Sequence, residues 1–119
     1  MTRLQGNKYH NKKVVADGIK FDSAKEARRY RELKLLEDAG EITDLRRQVR
    51  YELIPAQRID GKLVERKVDY VADFAYIRTK DQKLIVEDVK GYRDGGAYRV
   101  FVIKRKLMLS VWGIKIDEK

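Results

Sequence analysis

A chain of 119 residues suits one domain, and 43% hydrophobic residues with a single Pro exclude a disordered polymer. The absence of Cys excludes disulfides, thiolate metal sites and cysteine nucleophiles, and it fits a reducing cytoplasm. A net charge of +9 favours a polyanionic partner, most simply nucleic acid; no apolar run approaches the ~20 residues of a membrane span, and the N-terminus lacks the apolar core of a signal peptide.

Residues 1–11 are polar and basic and read as an N-terminal arm, leaving residues 12–119 as one folded domain. His10, the one His, falls in that arm, where an incidental residue is the simpler reading than a catalytic one. Asp17-Gly18, between Val14-Val15 and Ile19–Phe21, is a two-residue hairpin signal. A helix follows: Ser23 is a good N-cap, Glu26 completes a capping box and Gly40 is a natural stop. On that helix Glu26, Tyr30 and Leu33 share one stripe, which should pack on the sheet. Arg28, Arg29, Arg31 and Lys34 lie mainly away from it, as either a solvated face or a phosphate-contacting surface.

Residues 42–45 read as a short extended piece. Val49, Tyr51 and Leu53 alternate with Gln48, Arg50 and Glu52 as a strand ended by Pro55, and Asp60-Gly61 marks a turn. Residues 69–77 and 83–89 read as two strands joined by a turn over Thr79–Gln82. Gly91–Ala97 is predicted to be a loop centred on Gly95-Gly96. Residues 98–110 are predicted helical, with Val100, Ile103 and Leu107 on one face, and residues 111–116 a final edge strand. The sum is one α/β domain with a central mixed sheet flanked by helices.

A hairpin centred between Lys80 and Asp81 places Asp73 directly opposite Asp88. Lys90 then shares the face of Asp88, roughly 7 Å further along. The rest of that face is Val71, Ala75, Ile77, Leu84 and Val86. Two carboxylates opposed on an apolar face repel, and a bound divalent cation removes the objection. An Asp73–Lys90 salt bridge is the structural alternative, but one Lys cannot neutralise both acids. Glu26 is a third inward acid, although its capping role alone would also account for it. Carboxylates with the Val89 carbonyl form a hard oxygen set suited to Mg²⁺. The chemistry that wants these parts is phosphodiester hydrolysis, with Lys90 orienting the attacking water or stabilising developing charge. Glu87 should face the other side of its strand, unless a β-bulge exchanges it with Asp88.

Asp73 followed by Asp88-Val89-Lys90 on the next strand resembles the PD-(D/E)XK nuclease motif, with Glu26 similar to the additional helical acid of that superfamily. The wider pattern is Asp17–Ser23, Glu26-Ala27-Arg28-Arg29-Tyr30, Gly40-Glu41-Ile42, Gln48, Tyr70–Phe74 and Glu87–Gly91. It resembles a family of small phage and prophage endonucleases that includes Holliday-junction resolvases, over residues 9 to about 110. Ala72 stands where the motif's Pro would be, but the Asp carries the chemistry.

The resemblance implies a restriction-endonuclease-like fold, Glu26, Asp73 and Asp88 as metal-site acids, and Lys90 as catalytic lysine. It further implies Mg²⁺ with Mn²⁺ as a substitute, four-way DNA junctions as substrate, a homodimer, and action in the host-cell cytoplasm. Gln48 reads equally as a support to the acids, a substrate contact or an ordinary outward strand residue. Tyr92, Arg93 and Tyr98 beside Lys90, and Lys104-Arg105-Lys106 on the last helix, are candidate DNA contacts, with a solvated face equally open for the latter. Trp112 is expected in the core or a dimer seam. Two other readings stay open. One is a related nuclease for flapped, nicked or intact duplex DNA. The other is a non-catalytic nucleic-acid-binding protein in which Asp73, Asp88 and Lys90 form only an ion-pair network.

Overall fold

The computed structural model describes residues 13–119, so the expected basic arm and His10 lie outside the described residues. Strands β1 (Val14–Ala16) and β2 (Ile19–Phe21) close over Asp17 and Gly18, whose φ angles of 54° and 75° are those a two-residue hairpin turn demands. Helix α1 (Ala24–Asp38) begins as expected, with the Ser23 hydroxyl accepting the Glu26 N–H at 3.1 Å. The Glu26 carboxylate, however, takes the N–H of Asp22 at 3.1 Å, one residue earlier than a capping box would have it. At the other end the Glu41 N–H reaches Leu36 O at 2.9 Å and the Gly40 N–H reaches Glu37 O at 3.0 Å. This paired closure needs a left-handed residue, and Gly40 supplies it with φ 79°.

The two extended pieces expected after the helix are one strand, β3 (Ile42–Ile54). Left-handed Asp44 and Gln48, at φ 56° and 51°, bend its pleat without ending it. β4 (Gln57–Ile59) and β5 (Lys62–Glu65) make a separate ribbon over the Asp60-Gly61 turn. β6 (Val68–Arg78) and β7 (Lys83–Asp88) form the expected hairpin, and β8 (Asp117–Glu118) completes the main sheet in the order β3-β6-β7-β8. β8 runs parallel to β7 while the other pairs are antiparallel, so the sheet is mixed.

The C-terminal third departs from expectation in three ways. Helix α2 (Gly95–Leu107) starts inside the predicted glycine loop, because the Asp94 carboxylate caps the Gly95 N–H at 2.8 Å. Its buried residue is Phe101, while Val100 and Ile103 are exposed. The Phe101 ring lies 6.2 Å from Tyr70 and 5.7 Å from Tyr98, and burying a whole ring outweighs burying the smaller aliphatic face. The predicted edge strand at 111–116 is instead a π-helical turn (Met108–Trp112) stopped by left-handed Gly113 and followed by an irregular stretch, and the strand that pairs begins only at Asp117. Trp112 packs edge-on to Tyr51 at 5.5 Å and donates to Glu52 O at 2.9 Å, so it clamps the turn to β3 while staying half exposed.

Two layers cover the sheet. On one side Phe21, Leu33 and the ring of Tyr30 pack over Phe74 and Tyr76, beneath α1. On the other, Phe101, Met108 and Ile116 pack over Tyr70, Ala72, Ala75 and Val86. Strand side chains alternate, so Ala72 and Phe74 ought to share a face. They do not, because the β3–β6 ladder has its rungs at Arg47↔Phe74 and Val49↔Ala72 and skips the Gln48–Asp73 rung between. The pleat inverts there, with left-handed Gln48 on one strand and Asp73 on the other. No helix among the described residues is long and apolar enough to cross a membrane.

Replacing Gly40 by Ala keeps the carbon in open space but forces a Cβ onto a left-handed residue. The expected cost is about 1 kcal/mol, read as a shift of the urea midpoint at unchanged slope.

Candidate active site

The β6–β7 ladder runs from Arg78↔Lys83 to Phe74↔Glu87, and the next step in this register opposes Asp73 to Asp88. No backbone rung continues it. Instead the Val89 N–H donates to Asp73 Oδ2 at 2.8 Å. On its other edge the same segment is held by the Lys119 N–H to Asp88 O at 2.9 Å and the Lys90 N–H to Lys119 O at 3.1 Å. The Asp88-Val89-Lys90 backbone is thus fixed from both sides while β7 parts from β6. The parting leaves a cleft of about 220 Å³ lined by Asp22, Ser23, Glu26, Asp73, Asp88, Val89 and Lys90.

Three elements deliver these side chains. The first turn of α1 aims Glu26 inward, at 3% exposure. Asp73 stands at the inverted rung, between the α1 and α2 layers, and so meets groups from both. Asp88 comes from the end of β7, buried, with Tyr70 donating to its Oδ1 at 3.0 Å and Lys90 Nζ on its Oδ2 at 2.5 Å. The Lys90 ammonium also lies 3.6 Å from the centre of the Phe101 ring. The neighbours of Asp88 are therefore not only the aliphatic face expected: inversion at Asp73 brings Tyr70 onto it.

Gln48, an exposed residue, reaches two acids of the cleft from its edge. Its amide nitrogen lies 3.3 Å from Glu26 Oε2 and 3.4 Å from Asp73 Oδ1, a donor between two carboxylates. Burial first, then the Asp88 charge and then Glu26, push the Asp73 carboxyl up to about 7, against the opposing pull of the Val89 N–H. Burial and the Asp88 carboxylate likewise raise the Tyr70 hydroxyl, keeping it a donor.

Glu87 faces away, wholly buried on the α1 side. Arg29 grips it through Nε at 2.8 Å and Nη2 at 2.6 Å, and Tyr76 donates to it at 2.5 Å. Asp88, and not Glu87, is therefore the acid that lines the cleft. Arg29, expected on an outward face, is correspondingly turned inward and half-buried, because a buried carboxylate draws the nearest long cation toward it. Its guanidinium is raised above the usual range, chiefly by the Glu87 hydrogen bond.

The other candidate contacts scatter. Arg28 and Tyr92 are exposed, and Lys104 is half-buried on α2. Arg93, Tyr98 and Arg105 all engage Glu118, at 3.4, 3.0 and 2.9 Å, so three residues considered for DNA hold the C-terminal strand. Lys25 escaped the sequence reading: its ammonium reaches Lys90 O at 2.5 Å beside the cleft. Its position immediately before Glu26, in the first turn of α1, was the available signal.

Among the described residues, no three His, Cys, Asp or Glu side chains are grouped so as to hold one ion as they are placed. Glu26 and Asp73 form a pair across Gln48, while Asp88 is committed to Tyr70 and Lys90. The donor set nonetheless fits a hard dication in kind: carboxylate oxygens whose mutual repulsion raises Asp73. A family model described as a protein of unknown function (DUF1064) matches residues 6–113. No curated protein and no solved structure matches the chain.

The raised Asp73 carboxyl fixes the sign of a pH dependence. Native Asp73 holds its proton up to about 7, whereas the unfolded residue releases it near 3.8, so its contribution to stability falls as pH rises between those values and is flat above. Asp73→Asn should remove that fall. It is expected to melt higher than the parent at pH 8, by on the order of 1–3 kcal/mol, and to match it more closely at pH 4. Thermal melts in EDTA at both pH values check this.

Proposed function

The chain belongs to the DUF1064 family, and we propose that it is a metal-dependent, structure-selective DNA endonuclease, with the four-way junction as its substrate in the manner of a Holliday-junction resolvase. The observation that carries the proposal is the convergence of Glu26, Asp73, Asp88, Val89 and Lys90 on one cleft where the sheet parts. The mixed sheet with a helix layer on each face supports a restriction-endonuclease-like fold.

In this reading Glu26, Asp73, Asp88 and the Val89 carbonyl hold Mg²⁺, or Mn²⁺ in its place. When bound, the ion would acidify a water and neutralise charge on the phosphate under attack. The remaining work falls to the chain. Tyr70 orients Asp88 through its hydroxyl, and Gln48 holds Glu26 and Asp73 at a fixed separation. Lys90, seated on Phe101, offers an ammonium to the developing negative charge once DNA replaces Asp88 as its partner. The net charge of +9 attracts backbone phosphates without reading sequence. A C2 homodimer acting in the host-cell cytoplasm would present two equivalent sites for paired incisions.

A second reading, a binding protein without catalysis, has one observation in its favour: Asp88 already uses both oxygens on Tyr70 and Lys90, as an ion-pair network would. Labelled four-way junctions, flaps, nicked and intact duplexes, offered side by side with Mg²⁺ or Mn²⁺, separate the readings. Paired symmetric nicks confined to the junction are expected. Asp73→Asn and Lys90→Ala should each lower cutting by on the order of 10²–10⁴ while junction affinity in EDTA stays near the parent's. Cutting of plain duplex at the junction rate would sink the resolvase assignment. No cleavage of any substrate with either metal would leave the binding protein.

A further inference from the structure

Glu26 and Asp88 reach the cleft from different elements, and apolar packing alone does not set their separation. α1 rests on the sheet through Ala27, Tyr30 and Leu33, contacts that are non-directional and tolerate sliding. Several polar links cross that interface: Gln48 reaches Glu26, Lys25 reaches Lys90 O and the Leu45 N–H reaches Glu37, each through one hydrogen bond, whereas Arg29 makes a two-pronged charged pair. Arg29 lies three residues after Glu26 on α1, so it projects from nearly the same side of the helix, about 4.5 Å along its axis. Glu87 is the residue before Asp88 on β7, pointing to the opposite face. The two join through a two-pronged pair at 2.8 and 2.6 Å, and Tyr76 on β6 fastens the same carboxylate from below. The outer guanidinium nitrogen is held in turn by Glu32 at 2.9 Å.

We propose that the Arg29–Glu87 pair is a strut that sets the spacing between Glu26 and Asp88, and thereby the affinity of the cleft for a divalent cation. The inference rests on the metal-binding reading above. Both partners are displaced from the cleft residues by a fixed covalent step, three residues on the helix and one on the strand. A planar fork holds angle as well as distance, which a point-charge ammonium does not. Stability alone does not require such a pair, since apolar residues of similar volume can replace a buried ion pair at little or no cost. Its position, one step behind each of two cleft acids, gives it a use that an apolar replacement would not serve. Arg29 and Glu87 touch neither substrate nor ion in this account; they are positioning residues.

The test uses two variants of the whole chain. In Arg29→Met/Glu87→Met/Tyr76→Phe the polar link is replaced by apolar bulk. In Arg29→Lys the charge stays and the fork is lost. Each is melted in EDTA and in graded Mg²⁺ or Mn²⁺, and the rise in melting temperature with metal gives the affinity without any cleavage. The triple variant should melt within a few degrees of the parent in EDTA, yet bind the cation roughly 10- to 100-fold more weakly. Arg29→Lys should weaken it less, and it carries the test if the triple variant does not fold. The metal concentration for half-maximal cutting should rise in parallel, with DNA affinity in EDTA unchanged. If parent and variants gain equal stability from the metal, the strut is overturned and the metal site stands. If the parent gains none, the metal site falls and the strut with it.

Discussion

The hydrogen bond from the Val89 N–H to Asp73 Oδ2 stands where a backbone rung between β6 and β7 would otherwise be. A strand that loses its ladder leaves unpaired backbone groups, and burying those is costly. Here a side chain takes the donor on one edge and Lys119 takes the backbone on the other. The strands can therefore part without an orphaned N–H at Val89 or Lys90. The cleft exists because this substitution exists, and Asp73 is at once its hinge and one of its acids.

The inverted rung at Gln48 and Asp73 is the second half of the same arrangement. A regular pleat would keep Ala72 and Phe74 on one face, and a residue between them could meet only one helix layer. With the pleat inverted, Tyr70 reaches Asp88 from the α2 side while Phe74 and Tyr76 pack under α1. Asp73 at the crossover meets the charges of both Glu26 and Asp88. The left-handed backbone at Gln48 carries a cost for a residue with a Cβ. That strain sits beside the cleft, where the amide it redirects lies between two carboxylates.

Charge is arranged in three tiers around the cleft. Glu87 is neutralised behind it by Arg29, Asp88 is balanced inside it by Lys90, and Glu118 gathers Arg93, Tyr98 and Arg105 beside it. Glu26 and Asp73 have no cation of their own among these contacts, only the amide of Gln48 and backbone donors. In the proposed chemistry this is the unbalanced pair to which a dication would bring the missing charge. Arg28 and Tyr92 are exposed, and the Lys25 ammonium is held by Lys90 O beside the cleft.

Local signals in the chain determined a good deal. Asp17-Gly18, Ser23, Gly40 and Asp60-Gly61 each act through their own φ angle or their own side-chain bond, so turns and helix ends were legible without the fold. The hairpin register was legible too, because the Thr79–Gln82 turn fixes which residues face each other as far as Phe74 and Glu87, beyond which the strands part. What tertiary structure alone decided were choices between competitors for one buried space. Phe101 displaced Val100 and Ile103 from the core, Arg29 was drawn inward by Glu87, and Tyr70 was carried onto the Asp88 face by an inverted pleat. Each depends on a partner distant in sequence: 31 residues separate Tyr70 from Phe101, and 58 separate Arg29 from Glu87. Periodicity reports which residues share a face, but which face is buried is settled only when the opposing layer arrives.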